Sequence, residues 1–234
     1  MDINKALTYV FEDERWVTKS LIGLVLSFLG FLIIPIIFVQ GYLVWIIRNV
    51  IDGLEFPLPE WEDWGKMFMD GLNLFIALLV YSLPAVLLVG CGMLLFLPAG
   101  MADGDVAGAL AAGGSIGFIL LTCLAALWGL VMVVLGPAVT IQYAREGTLG
   151  ACFRFSEVIA LAREHIGDII IAVVVLIGLG LVLGIIGIIP IIGWLVALAA
   201  SIYTTFVSGH LFGQIGRKVA GDKEKGLGDP TIMA

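Results

Sequence analysis

The sequence predicts an all-α integral membrane protein with about six transmembrane helices, on three observations. Of 234 residues, 61% are hydrophobic and only 13% charged. The mean hydropathy is +1.11, and a soluble domain of this size cannot bury that much apolar side chain. Apolar stretches recur at about 17–34, 36–52, 70–97, 116–144, 167–189 and 191–216. With those spans all twelve Lys and Arg fall on one side, which the positive-inside rule makes the cytoplasm. The chain 1–234 therefore reads as a single transmembrane domain in the cell membrane, with both termini cytoplasmic and a flexible tail over 221–234.

Taken in order, residues 2–12 place Ile3, Leu7, Val10 and Phe11 on one helical face, the pattern of a short interfacial helix. The first long apolar run begins only near Ser20 and follows Glu12, Asp13 and Glu14, so no cleaved leader is expected. Asp13 has the chemistry of an N-cap for a helix that carries Trp16 at headgroup depth and runs to Ile34, where Pro35 stops it. A single helix over 20–51 would be roughly 46 Å long against a hydrocarbon core of about 30 Å. The pair 17–34/36–52 is therefore either two short spans or a re-entrant hairpin. The run Ile33-Ile34-Pro35-Ile36-Ile37 recurs as Ile188-Ile189-Pro190-Ile191-Ile192, and GYLVWIIRNVIDG at 41–53 is echoed by GHLFGQIGRKVAG at 209–221. This imperfect internal duplication makes both prolines hairpin apices.

Between Pro59 and Leu72, Trp61, Trp64, Phe68 and Leu72 recur at helical spacing opposite Glu62, Asp63, Lys66 and Asp70, which predicts an amphipathic helix on the cytoplasmic interface begun by Pro59. Pro57 and Pro59 make the 55–64 segment an ordered collar, with Trp16, Trp61 and Trp64 as interfacial anchors. The small-residue stretch 101–115 reads as a mobile loop. A second amphipathic segment, 148–165, sets Cys152, Phe155, Ile159 and Ala162 in a stripe.

The Trp16 lead, IIP, GY at 41–42, Arg48-Asn49-Val50, Gly53, PLPEWEDW at 57–64 and Asp70-Gly71 together resemble family 4013 of the domain-of-unknown-function series, a group of archaeal and bacterial multi-pass membrane proteins. The resemblance covers most of the chain and implies the same helical organisation. It carries no catalytic residue, cofactor or activity.

No nucleophile with its base, metal cluster or phosphate cradle is evident, so neither enzyme activity nor a cofactor is expected. His165 and His210 are far apart in sequence and lack ligand spacing. The single, scattered Cys91, Cys123 and Cys152 read as packing residues. The formal charge of −7 lies in loops beside the cations, so nucleic acid is not a partner. Gly180 with Gly184, and Gly209 with Gly213, are small-xxx-small faces suited to close helix packing, the first pair being the natural partner of the second.

No ionisable residue falls near the middle of a proposed span, which counts against an ion-coupled carrier. Polar side chains concentrate in the last span, where Ser201, Thr204, Ser208, His210 and Gln214 form a candidate lipid- or solute-facing stripe, the alternative being hydrogen bonding between helices. The reading is a non-enzymatic accessory, scaffold or lipid-organising protein. Its partners are membrane lipids and other membrane subunits. The alternative is a permease or channel for an uncharged small solute or lipid.

Overall fold

The computed structural model describes residues 1–32, 34–187 and 192–227, and all regular structure in them is helical. Among the described residues five helices are long and apolar enough to cross a membrane: Ile34–Ile51, Trp64–Gly100, Gly104–Glu146, Ile166–Gly187 and Val196–Asp222. The chain forms two units, Met1–Ala77 with Pro137–Ala234, and Leu78–Gly136.

In the first unit α1 (Ile3–Thr8) is capped by the Asp2 carboxylate, which accepts from the Lys5 N–H at 2.9 Å, and a 3-10 turn over Tyr9–Glu12 leads on to α2 (Trp16–Phe28). The buried side of this segment is Ala6, Tyr9 and Val10, while Ile3 and Phe11 are exposed. The expected face was one of bulk, but close docking selects the small Ala6. The residue that caps α2 is Arg15 rather than Asp13, although the Asp13 carboxylate does accept from the Arg15 N–H at 2.8 Å. At 13 residues α2 is shorter than the expected 17–34 span, and a 3-10 turn, Leu29–Leu32, follows it.

Pro35 does not end a helix. It lies in the first turn of α3 (Ile34–Ile51), where the proline nitrogen has no intrahelical partner to lose. The second copy of the repeat falls at 188–192, mostly outside the described residues. Gly53, at φ 77°, closes α3 with its own N–H on Val50 O and the Leu54 N–H on Asn49 O, a left-handed ending that glycine adopts without strain.

Helix α4 (Trp64–Leu94) is capped by Asp63, whose carboxylate accepts from the Lys66 N–H at 3.1 Å. The expected separate amphipathic helix over 59–72 is therefore partly an irregular segment and partly the first turns of the span itself. Helices α3 and α4 meet backbone to backbone. A Cβ on Gly41 would stand 1.9 Å from Met67 O, and one on Gly71 would stand 1.8 Å from Ile37 O.

The second unit is built from the rest of α4, α5 (Leu97–Gly100) and the first part of α6 (Gly104–Glu146). The indole of Trp128 donates to Tyr81 O at 2.9 Å, shortly before Pro84 of α4. The expected mobile loop over 101–115 is helical from Gly104. Gly114 and Gly117 admit Leu95 so closely that a Cβ on Gly114 would lie 2.8 Å from Leu95 O. Alanines at 107, 109, 111 and 112 supply the helix propensity that a reading of the glycines alone overlooks.

Back in the first unit, α6 ends at Gly147, and α7 (Leu149–Cys152) and α8 (Phe155–Glu164) precede α9 (Ile166–Gly187). Cys152, Val158, Leu161 and Ala162 are buried, whereas Phe155 and Ile159 of the expected stripe are exposed. Burial pushes the Cys152 thiol up to about 11, while Cys91 and Cys123 are exposed, so one of the three expected packing cysteines is interior.

Helix α10 (Ile192–Leu227) is the hub and packs on α1, α2, α3 and α9. It continues through the first residues of the expected 221–234 tail, the remainder of which lies outside the described residues. Gly209 faces Ile46 and Leu43 of α3, and Gly213 faces Val50 and Ile47 O of the same helix. A Cβ on Gly180 or Gly184 would meet no atom of a described residue within 4 Å, whereas Gly209 and Gly213, expected to pair with them, are in contact with α3.

Candidate functional site

Two ionic networks fix the frame around the candidate site. In the first, the Lys19 ammonium donates to Asp13 Oδ2 at 2.6 Å and Leu58 O at 2.9 Å and forms an ion pair with Glu60 Oε1 at 2.9 Å, with the side chain 5% exposed. Arg15 also reaches Glu60 at 2.9 Å. The neighbouring carbonyls of the proline-rich segment are taken up in turn. Asn49 donates to Pro57 O, Lys19 to Leu58 O and the Tyr42 hydroxyl to Pro59 O. A segment with two prolines cannot satisfy its carbonyls through a ladder of its own, and side chains from α2 and α3 do so instead. Trp61 is part of this packing: it stacks on Tyr42 at 4.2 Å, donates to Lys19 O at 3.1 Å and is 8% exposed. It is a core residue, in place of the interfacial anchor expected. Trp16 is half-buried and Trp64 is exposed.

In the second network Asp70 of α4 accepts Arg48 Nη1 at 2.6 Å, Arg48 Nη2 at 3.1 Å, Trp45 Nε1 at 2.8 Å and the Tyr143 hydroxyl at 2.9 Å. Arg48 Nε donates to Ala144 O at 3.0 Å, and Asn73 donates to the Tyr143 hydroxyl at 3.2 Å. One carboxylate thus ties α3, α4 and the end of α6. Sequence position put Arg48 near a span end and Asp70 on the polar face of the expected interfacial helix, and gave no reason to pair them.

The expected polar stripe is used within the chain. His210 is buried and stacks on Tyr9 at 4.5 Å, and its Nδ1 lies 3.0 Å from Gln214 Nε2. Gln214 in turn clamps Asp2, accepting its N–H at 2.6 Å and donating to its carbonyl at 2.8 Å. Tyr9 donates to Phe206 O and Tyr203 to Leu7 O, each at 2.8 Å. Burial raises the Tyr9 phenol well above its ordinary range. Ser201 and Ser208 donate to carbonyls one turn back, Leu198 O and Thr205 O, and Thr204 is half-buried. The N-terminal segment, which sequence reasoning placed on the membrane surface, is what these residues hold.

Beside the stripe lies an apolar groove of about 350 Å³. Its walls are Trp16, Val17, Ser20, Leu21 and Leu24 of α2, Val196, Ala199, Ala200, Ile202, Tyr203 and Phe206 of α10, and Leu183 of α9, with Val10 and Phe11 at one end. Its two polar side chains are Ser20 and Tyr203, and the Tyr203 hydroxyl is already engaged with Leu7 O. From Trp16 to Leu24 the groove follows α2 for roughly 12 Å. No group of three or more His, Cys, Asp or Glu capable of holding a metal ion occurs among the described residues.

These features define the class: an all-helical multi-pass membrane protein. The chain belongs to the family described as protein of unknown function (DUF4013), whose family model matches residues 28–192, in agreement with the resemblance carried by the IIP, GY and PLPEWEDW motifs. Comparisons with curated proteins and with solved structures returned no match.

Proposed function

We propose that the protein acts by interaction, as a non-enzymatic lipid-organising or scaffold component of the cell membrane, and that the groove between α2 and α10 retains a lipid acyl chain. The observation that carries this reading is the apolar lining of the groove on a helix whose Tyr203, His210 and Gln214 are engaged with the N-terminal segment. An alkyl chain suits so apolar a lining, whereas a hydrophilic solute would find few partners there. A permease would need His210 and Gln214 for a route, and their bonds to Gln214, Tyr9 and Asp2 favour the interaction reading instead.

Ala200→Phe, which fills the groove, should lower the lipid that copurifies in mild detergent several-fold by native mass spectrometry. Ala197→Phe, at an exposed position of the same helix outside the groove, should leave it unchanged. Equal lipid retention in both variants would sink the proposal. So would release by Ala200→Phe of a second copy of the chain rather than lipid.

The same reading places both termini and the 53–69 segment in the cytoplasm, because that arrangement gathers the cations on one side. In a cysteine-free background, cysteines at the exposed Glu62 and Asp105 should be labelled by impermeant maleimide from opposite faces of the membrane. Labelling of both from one face would overturn the topology.

A further inference from the structure

A second cavity, of about 300 Å³, opens where the last turns of α6 meet α8 and α10, well along α10 from the apolar groove. Its polar lining carries both signs of charge: Arg145 from α6, Glu157 and Glu164 from α8, and Asp222 from α10, with Gln142 and His165 among them. Gln142 and Glu157 satisfy each other at 2.8 Å, and Glu157 also faces Arg154 at 3.4 Å. Arg145, Glu164 and Asp222 make no side-chain hydrogen bond or ion pair with any described residue.

His165 supplies an independent sign of a ligand. It is 9% exposed, its backbone is committed to Leu161 O and the Ile169 N–H, and its ring has no partner among the described residues. No fully buried side-chain nitrogen in those residues lacks a partner, so the ring nitrogens are accessible, and His165 is one of the residues that line the cavity. An imidazole on a cavity wall without a protein partner keeps its hydrogen-bonding capacity for what enters.

We infer that this cavity binds a small zwitterion, an ammonium joined by a short linker to an oxyanion. Arg145 takes the oxyanion, Glu164 and Asp222 take the ammonium, and the His165 ring hydrogen-bonds to the ligand between them. A lone anion would face three carboxylates and a lone cation would face the Arg145 guanidinium, so a ligand with both signs is the better electrostatic complement. The volume is at the small end for organic ligands. Phosphoethanolamine is the type, either free or as a phospholipid headgroup, since the cavity lies where spanning helices end.

The test uses the full chain in nanodiscs of phosphatidylglycerol. In one arm calorimetry measures binding of free phosphoethanolamine, ethanolamine and inorganic phosphate. In the other arm phosphatidylethanolamine is mixed into the discs and the melting temperature is read. Binding of free phosphoethanolamine at least about tenfold tighter than either single-charge probe, or a melting shift specific to the ethanolamine lipid, supports the site and identifies the source. Arg145→Gln and Asp222→Asn should each weaken that response by about tenfold or more, the scale of one charge-assisted hydrogen bond. Asp222 is exposed, so its variant carries the test if Arg145→Gln disturbs folding. Silence in both arms, equal binding of phosphate alone, or a wild-type response in Asp222→Asn would overturn the proposal.

Discussion

Replacing Gly71 with leucine is expected to abolish the folded protein, and even Gly71→Ala should cost more than about 4 kcal/mol, a large part of the roughly 5–15 kcal/mol that holds a typical domain together. A Cβ at position 71 would lie 1.8 Å from Ile37 O and 2.7 Å from Gly41 N, and one at position 41 would lie 1.9 Å from Met67 O. The obstructing atoms are backbone, so no rotamer change relieves the overlap. Relief requires α3 and α4 to separate, and Asp70 stands beside Gly71. Separation would therefore also pull its carboxylate from Trp45 and Arg48. Gly180→Ala, with open space around it, should instead be neutral or stabilising by up to about 1 kcal/mol, as expected for alanine in a helix interior. Thermal melting in detergent distinguishes the two. A Gly71→Ala protein melting within two or three degrees of wild type would refute the close crossing.

The contrast between those glycines shows what was legible in the sequence. Composition forces helices in a membrane, because unpaired backbone groups are costly there. Small-xxx-small spacing finds a helix that could be approached closely, but it does not say by what. Gly209 and Gly213 meet α3, not the glycines of α9, and the closest approach in the first unit is made by Gly41 and Gly71, one on each of two helices. A pattern search within one helix cannot register such a pair.

Pro35 and Trp61 were misread for related reasons. A proline stops the helix before it and starts the helix after it with equal ease, and only the 3-10 turn over Leu29–Leu32 shows where the break falls. A tryptophan beside charged residues suits a membrane surface, but it also suits a buried stack when its N–H has an acceptor, and Lys19 O is supplied from a helix distant in sequence. Likewise Lys19, Asp13 and Glu60 are unremarkable singly. Their meaning comes from the proline-rich segment, whose carbonyls need donors from other elements.

Asp70→Ala should be strongly destabilising. Its carboxylate accepts two bonds from Arg48, one from Trp45 and one from Tyr143, and the residue is 8% exposed. Truncation leaves the Arg48 guanidinium, 25% exposed, without its counter-ion, together with an indole N–H and a phenol that lose their acceptor. Breaking a buried pair in this way costs about 3–5 kcal/mol. Asp168→Ala is the matched control, because its partner Lys218 is 44% exposed, and solvated pairs contribute less than about 1 kcal/mol. Arg48→Met with Asp70→Leu should recover part of the loss by removing both charges. It should not reach wild type, since Ala144 O would still lack its Arg48 donor, and the Trp45 N–H and Tyr143 O–H the acceptor that Asp70 supplied. Melting curves of the three variants beside wild type test the network: a strongly destabilised Asp70→Ala, a nearly unchanged Asp168→Ala and a double variant between them. Equal, small losses for Asp70→Ala and Asp168→Ala would mean that the Arg48 network is a solvated surface pair and that the three helix ends are held by packing alone.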